Sequence, residues 1–269
     1  MESEQKKTPP NEKTIARYSE TLRQNLGVVE KRIVQASQAQ HHKLSVPRLL
    51  AVSKTHPPEA IVAACGLGIC EFGENYAQEL KNKKEFLQEY FPDLLKNLKF
   101  VFLGRIQSNK IPLMIQYADE IQSVGSLEHA LSISKQLQKF RPGQVYPIWL
   151  LVNAGQETTK TGFTLEEIPL ATQELTQRCP NLDIQGLMAI PPPLETLLEQ
   201  SPSQSPGAAP PLYWKLRELS RHLPLSAGRG GLLSLGMSED LEAALVVGTD
   251  CIRLGTALFG PRLPKDFEK

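Results

Sequence analysis

From Thr14 the apolar positions Ile15, Tyr18, Leu22, Leu26, Val29 and Ile33 recur at spacings of three and four, the period of a helix with one buried stripe. Beyond it the pattern changes. Short, mostly apolar runs bounded by Gly, Pro, Ser or Asn alternate with longer stretches of helical period. The runs predict strands over 49–53, 69–73, 99–103, 120–124, 145–153, 182–190, 232–235 and 250–254. Helices are expected over 58–68, 75–90, from near Ser108, over 127–140 with Ser126 as N-cap, from the capping-style Thr164-Leu165-Glu166-Glu167, and over 212–222 and 238–247.

Several of these strands are near-continuous in Leu, Ile and Val, as strands buried on both faces are. Eight βα units point to a single-domain (β/α)8 TIM barrel over 13–265, preceded by the amino-terminal helix. An open doubly wound sheet is the rival. It lacks support because no dinucleotide fingerprint follows any strand. The first 12 residues, MESEQKKTPPNE, read as a disordered tail. The stretch 191–211, rich in Pro and Ser, reads as a long surface loop.

Composition narrows the partners. Hydrophobic residues make up 41% of the chain, ample for a core, and the formal charge is +1 with Lys and Arg spread along it. Neither nucleic acid nor an anionic membrane is favoured as a partner. No run of 18 apolar residues exists and the amino terminus has no apolar core of a signal peptide, so a cytoplasmic protein is expected. Cys65, Cys70, Cys179 and Cys251 lack metal-ligand or redox spacing and fit thiols in a reducing compartment.

In a barrel the site is built at the carboxyl ends of the strands. Lys54 stands at the first of these, at the lip of an apolar core. A lysine there is either a snorkelling surface charge or a desolvated amine of the kind that forms Schiff bases. Asn75, Ser123 and Met188 lie at other strand ends, where capping and core packing are the plainer readings. The last two strand ends say more. Ser234, Gly236 and Ser238 in LLSLGMSED, and Gly255-Thr256 in CIRLGTALFG, bring hydroxyls and approachable backbone to helix amino termini, which suit a phosphate. A Schiff-base lysine facing a phosphate cradle suggests pyridoxal 5′-phosphate (PLP). Arg253, which cannot give up its proton, would then keep the pyridine nitrogen unprotonated and the ring a weak electron sink.

The segments AVSKTHP, FGENYAQE, FLGRIQSNK, VNAGQETTKTGF, GLMAIPP, LSLGMSEDLEAAL and IRLGTALFG, in this order over nearly the whole chain, together resemble the YggS/PROSC family of PLP homeostasis proteins. That resemblance implies a barrel similar to the alanine racemase N-terminal domain, a bound PLP held as an aldimine, and no established catalysis. Carried over by position, Lys54 holds the cofactor and Asn75 lies beside its ring. Ser234, Met237, Ser238, Gly255 and Thr256 surround the phosphate, Arg253 meets the pyridine nitrogen, and Met188 lines the pocket. Apo-PLP enzymes are candidate partners, delivery, storage and sensing of PLP being equally open, and a monomer is expected. Three departures stand out: Val101 where the family usually has histidine, His56 two after the lysine, and Leu235 in place of methionine. A racemase-like PLP enzyme is the alternative, and a Schiff-base aldolase acting on a sugar phosphate is a more distant one.

Overall fold

The computed structural model describes residues 9–38, 46–155, 161–199, 209–225 and 230–261. Its strands are β1 (Arg48–Val52), β2 (Glu71–Glu74), β3 (Lys99–Phe102), β4 (Glu120–Val124), β5 (Tyr146–Val152), β6 (Leu182–Ala189), β7 (Leu232–Ser234) and β8 (Cys251–Leu254). They pair in parallel in chain order, and β8 closes onto β1 with Leu50 opposite Arg253. The expected barrel is the fold observed.

The helices are α1 (Glu12–Gln38), α2 (Pro58–Cys65), α3 (Ala77–Tyr90), α4 (Pro92–Leu95), α5 (Ile111–Tyr117), α6 (Leu127–Phe140), α7 (Ile168–Arg178), α8 (Leu194–Glu199), α9 (Pro211–Arg221), α10 (Leu241–Val246) and α11 (Thr256–Phe259). Two expected caps are in place. Ser126 Oγ accepts from His129 N at 3.2 Å, and Thr164 and Glu167 exchange side-chain-to-backbone bonds as a capping box.

α1 explains why a helix precedes the first strand. The helix after β8 has only four residues, too short to cover the sheet there. α1 packs against α2, α10 and α11 and takes that place, burying Tyr18, Leu22 and Val29. It begins at Glu12 because Asn11 Oδ1 accepts from Thr14 N at 3.2 Å. Of the expected disordered tail, 1–8 lie outside the described residues, while Asn11 N is bonded to Glu59 Oε1. Within the expected loop over 191–211, Leu194–Glu199 form a helix and 200–208 lie outside the described residues. The strand expected over 69–73 starts later. Ile69 N turns back to Ala64 O at 3.2 Å and so belongs to the end of α2, and the ladder opens at Glu71 opposite Lys99.

The barrel interior is packed. At its lower end the first residues of four strands meet: Arg48 bonds both carboxylate oxygens of Glu120, at 2.9 and 3.0 Å, and pairs with Glu71, while Lys99 reaches Glu120 at 2.9 Å. Above them Leu50, Val101, Trp149, Met188 and Cys251 form an apolar layer, with Leu103 and Leu151 packed against it.

Candidate functional site

The upper rim carries Lys54, Asn75, Met237, Ser238, Gly255 and Thr256, on the segments that follow β1, β2, β7 and β8. These four strands are neighbours in the closed sheet, so the residues share one arc of the rim. Two glycines let the backbones meet there. A side chain on Gly104 would place its Cβ 1.8 Å from the Asn75 carbonyl, and Gly236 has a φ of 102°.

Lys54 is half-buried, and its flanking backbone is held from outside the barrel. Ser53 Oγ donates to Glu74 Oε1 at 2.6 Å. Lys83 Nζ, on α3, donates to Ser53 O, Glu74 Oε1 and Glu79 Oε1, each at 2.7 Å. Glu79 Oε1 also accepts from Thr55 N at 2.6 Å, and Thr55 is the only described non-glycine residue with a positive φ, 65°. Glu74 is wholly buried. Burial raises its pKa above the usual carboxylate value, and Lys83 partly offsets this.

Beneath the rim, Arg253 is 4% exposed. Its Nη1 donates to Ser234 Oγ at 2.7 Å and its Nη2 to Ala189 O at 2.8 Å. Ser234 in turn donates to Gln122 Oε1 at 2.8 Å, and Gln122 Nε2 donates to Glu120 Oε1 at 2.8 Å. A continuous chain of hydrogen bonds thus runs from the charged lower end to Arg253. Burial lowers the proton affinity of the guanidinium, and the nearby Asp240 works against that. An arginine remains charged under such conditions.

The helix expected over 238–247, with Ser238 at its start, begins at Leu241, and a turn precedes it. Asp240 is the cause: its Oδ1 accepts from Met237 N and its Oδ2 from Tyr213 OH, both at 2.6 Å. The carboxylate is thereby turned onto its own loop and onto α9. Ser238 Oγ accepts from Ala257 N at 3.2 Å and ties the loop after β7 to the first turn after β8.

Ser234 and Met188 pair with each other in the β6–β7 ladder, below the loops that carry the other expected site residues. Ser234's only proton goes to Gln122, so the hydroxyl serves Arg253 rather than a rim ligand. Met188 belongs to the apolar layer that forms the floor. Val101 belongs to it too, so the position where the resembled family has a histidine is packing here. Gln122, Lys83, Glu74 and Glu79 were not singled out from sequence. The one available signal was the Glu79/Lys83 spacing of four, which also describes any solvated helix face.

The barrel is that of a known class: the family model of the alanine racemase N-terminal domain matches residues 25–263. Among curated proteins, the pyridoxal phosphate homeostasis protein of Pseudomonas aeruginosa is 37% identical over 244 residues, 90% of this chain and 96% of that one. Its counterpart in Vibrio cholerae is 35% identical over 244 residues, 90% of this chain and 97% of that one. Among solved structures, PipY of Synechococcus elongatus with PLP bound superposes with a TM-score of 0.65 at 29% identity, over 85% of this chain and all of that one. The chain belongs to the family of pyridoxal phosphate homeostasis proteins.

Proposed function

We propose that the chain binds PLP at this arc of the rim, with Lys54 as its covalent anchor, and serves homeostasis of the cofactor rather than catalysis. Arg253 is the observation that carries the reading. A guanidinium only donates, and this one is buried and held by two neutral acceptors, Ser234 Oγ and Ala189 O. Such a group fits an unprotonated pyridine nitrogen and rejects a protonated one. The names of the relatives, and PipY with PLP bound, support the same cofactor.

When bound, PLP supplies an aldehyde that condenses with amines and a ring that draws electrons from what is attached. Lys54 is the primary amine at the rim. Asn75 would lie beside the ring. The backbone of Gly255 and Thr256 and the hydroxyl of Ser238 would take the phosphate, while the N–H of Met237, expected to join them, is held by Asp240. Ser238 accepts from Ala257 N, so its proton can go to an anion; Ser234 acts through Arg253. With its nitrogen kept unprotonated, the ring is a weak electron sink, which suits holding more than turnover. All four cysteines are thiols, in keeping with a reducing cytosol, and no helix among the described residues is long and apolar enough to cross a membrane.

The visible spectrum tests this. Protein incubated with PLP should turn yellow, and borohydride should fix the label on the peptide containing Lys54. Lys54→Ala should lose both. Label on another lysine, or no uptake by the wild-type protein, overturns the proposal. Exchange of amino-acid α-protons with deuterated water, dependent on Lys54, would instead favour a racemase-like enzyme.

A further inference from the structure

The groups around Lys54 have a geometry that ordinary stability does not require. A β-branched residue at a φ of 65° is strained, and Thr55 adopts this conformation immediately after Lys54. Strain of that kind persists only where the surroundings over-determine it. Here they do. Ser53, the residue before Lys54, is fixed by its hydroxyl on Glu74 and by its carbonyl on Lys83. Thr55, the residue after it, is fixed by its N–H on Glu79. Lys83 is 3% exposed and ties both carboxylates together. A buried cation holding two acids is seldom justified by stability, since apolar residues of similar volume do as well.

We propose that Lys83, Glu74 and Glu79 are positioning residues for Lys54: a buried clamp on the outer side of β1 and β2 that locks the backbone on both sides of the lysine and aims its side chain at the rim. The proposal rests on the PLP reading above. It assigns the three residues no contact with the cofactor. Their contribution is to hold the amine in one place, so that binding does not have to order it. Releasing either side lets Thr55 relax out of its strained conformation and redirects Lys54.

Lys83→Met strips the cation from two acids and can fail to fold, so Glu79, the half-buried member of the clamp, is the informative position. Glu79→Ala removes the acceptor of Thr55 N; Glu79→Gln removes the charge and keeps an acceptor oxygen. The first measurement uses full-length protein without PLP. A short bond to a carboxylate moves an amide proton downfield, so the Thr55 amide resonance should move upfield in Glu79→Ala and much less in Glu79→Gln. The second measurement is PLP affinity by absorbance. Glu79→Ala should bind at least about tenfold more weakly, with Glu79→Gln restoring most of the loss. An unmoved Thr55 amide in Glu79→Ala overturns the clamp. A released amide with undiminished PLP affinity overturns its positioning role. If wild-type protein takes up no PLP, the cofactor reading itself fails, and the amide resonance still reports whether the clamp exists.

Discussion

Thr55 and Ser234 show how single residues are constrained by the site. At a φ of 65° Thr55 carries strain of about 1–2 kcal/mol, and glycine at the same place carries none. Glycine's greater freedom when unfolded returns part of that gain. Thr55→Gly is therefore expected to stabilise the fold by about 0.5–1 kcal/mol, seen as a rise in melting temperature of about 2 °C. An unchanged or lowered midpoint would contradict the strain. Ser234→Ala works in the opposite direction. It leaves Gln122 Oε1 and one Arg253 donor without a buried partner, and a loss of about 1–3 kcal/mol is expected in urea unfolding. The contrast also explains what could be read in advance. Lys54, Ser238, Arg253 and Gly255 were legible because polar residues at the ends of apolar runs are conspicuous. Gln122 was not, since its partner Ser234 is 112 residues away and lies across the lumen. Lys83 was not, since nothing in a polar-faced helix says which of its lysines is buried.

Among the elements, α1 is the one whose purpose the pattern of residues could not show. Its buried stripe was plain in the sequence, but the surface it covers exists only because the helix after β8 stops at four residues. α1 also reaches the site's own loop: Arg32 pairs with Glu242 and donates to Ser238 O at 3.0 Å. Leu22 is fully buried, and Leu22→Ala is expected to cost about 2–5 kcal/mol, measured by chemical denaturation. A loss under about 1 kcal/mol would mean that α1 is not part of the cooperative unit. The loop over 236–240 teaches a related lesson. A run of Ser, Glu and Asp before an apolar helix looks like a helix start, yet Asp240 spends its carboxylate on Met237 N and Tyr213. Which of several capping residues takes the cap depends on packing against α9, and sequence spacing does not encode that.

At the scale of the whole molecule, the charged lower end of the barrel ties stability to pH. Burial would raise the pKa of Glu120, but Arg48, Gln122 and Lys99 outweigh it and hold the carboxylate below its ordinary 4.5. The folded-state value is depressed, so its stabilisation is complete above the unfolded value and fades as pH falls below 4.5. Glu120→Gln leaves Arg48 and Lys99 without their shared partner, and a loss of about 3–5 kcal/mol at neutral pH is expected. The gap between variant and wild type should narrow on acidification, followed by urea midpoints from pH 7 to pH 3. A gap that stays constant would place the pH sensitivity elsewhere. Eight strands and their order were legible because each strand announces itself locally. The ion cluster was not, because its members start four different strands and only closure of the sheet brings them together.

That sealed lower end has a consequence for traffic. With charge below and an apolar floor above it, the barrel is a cup. Under the proposed reading, PLP would enter and leave through the upper opening alone, and any protein that received it would have to face that same opening.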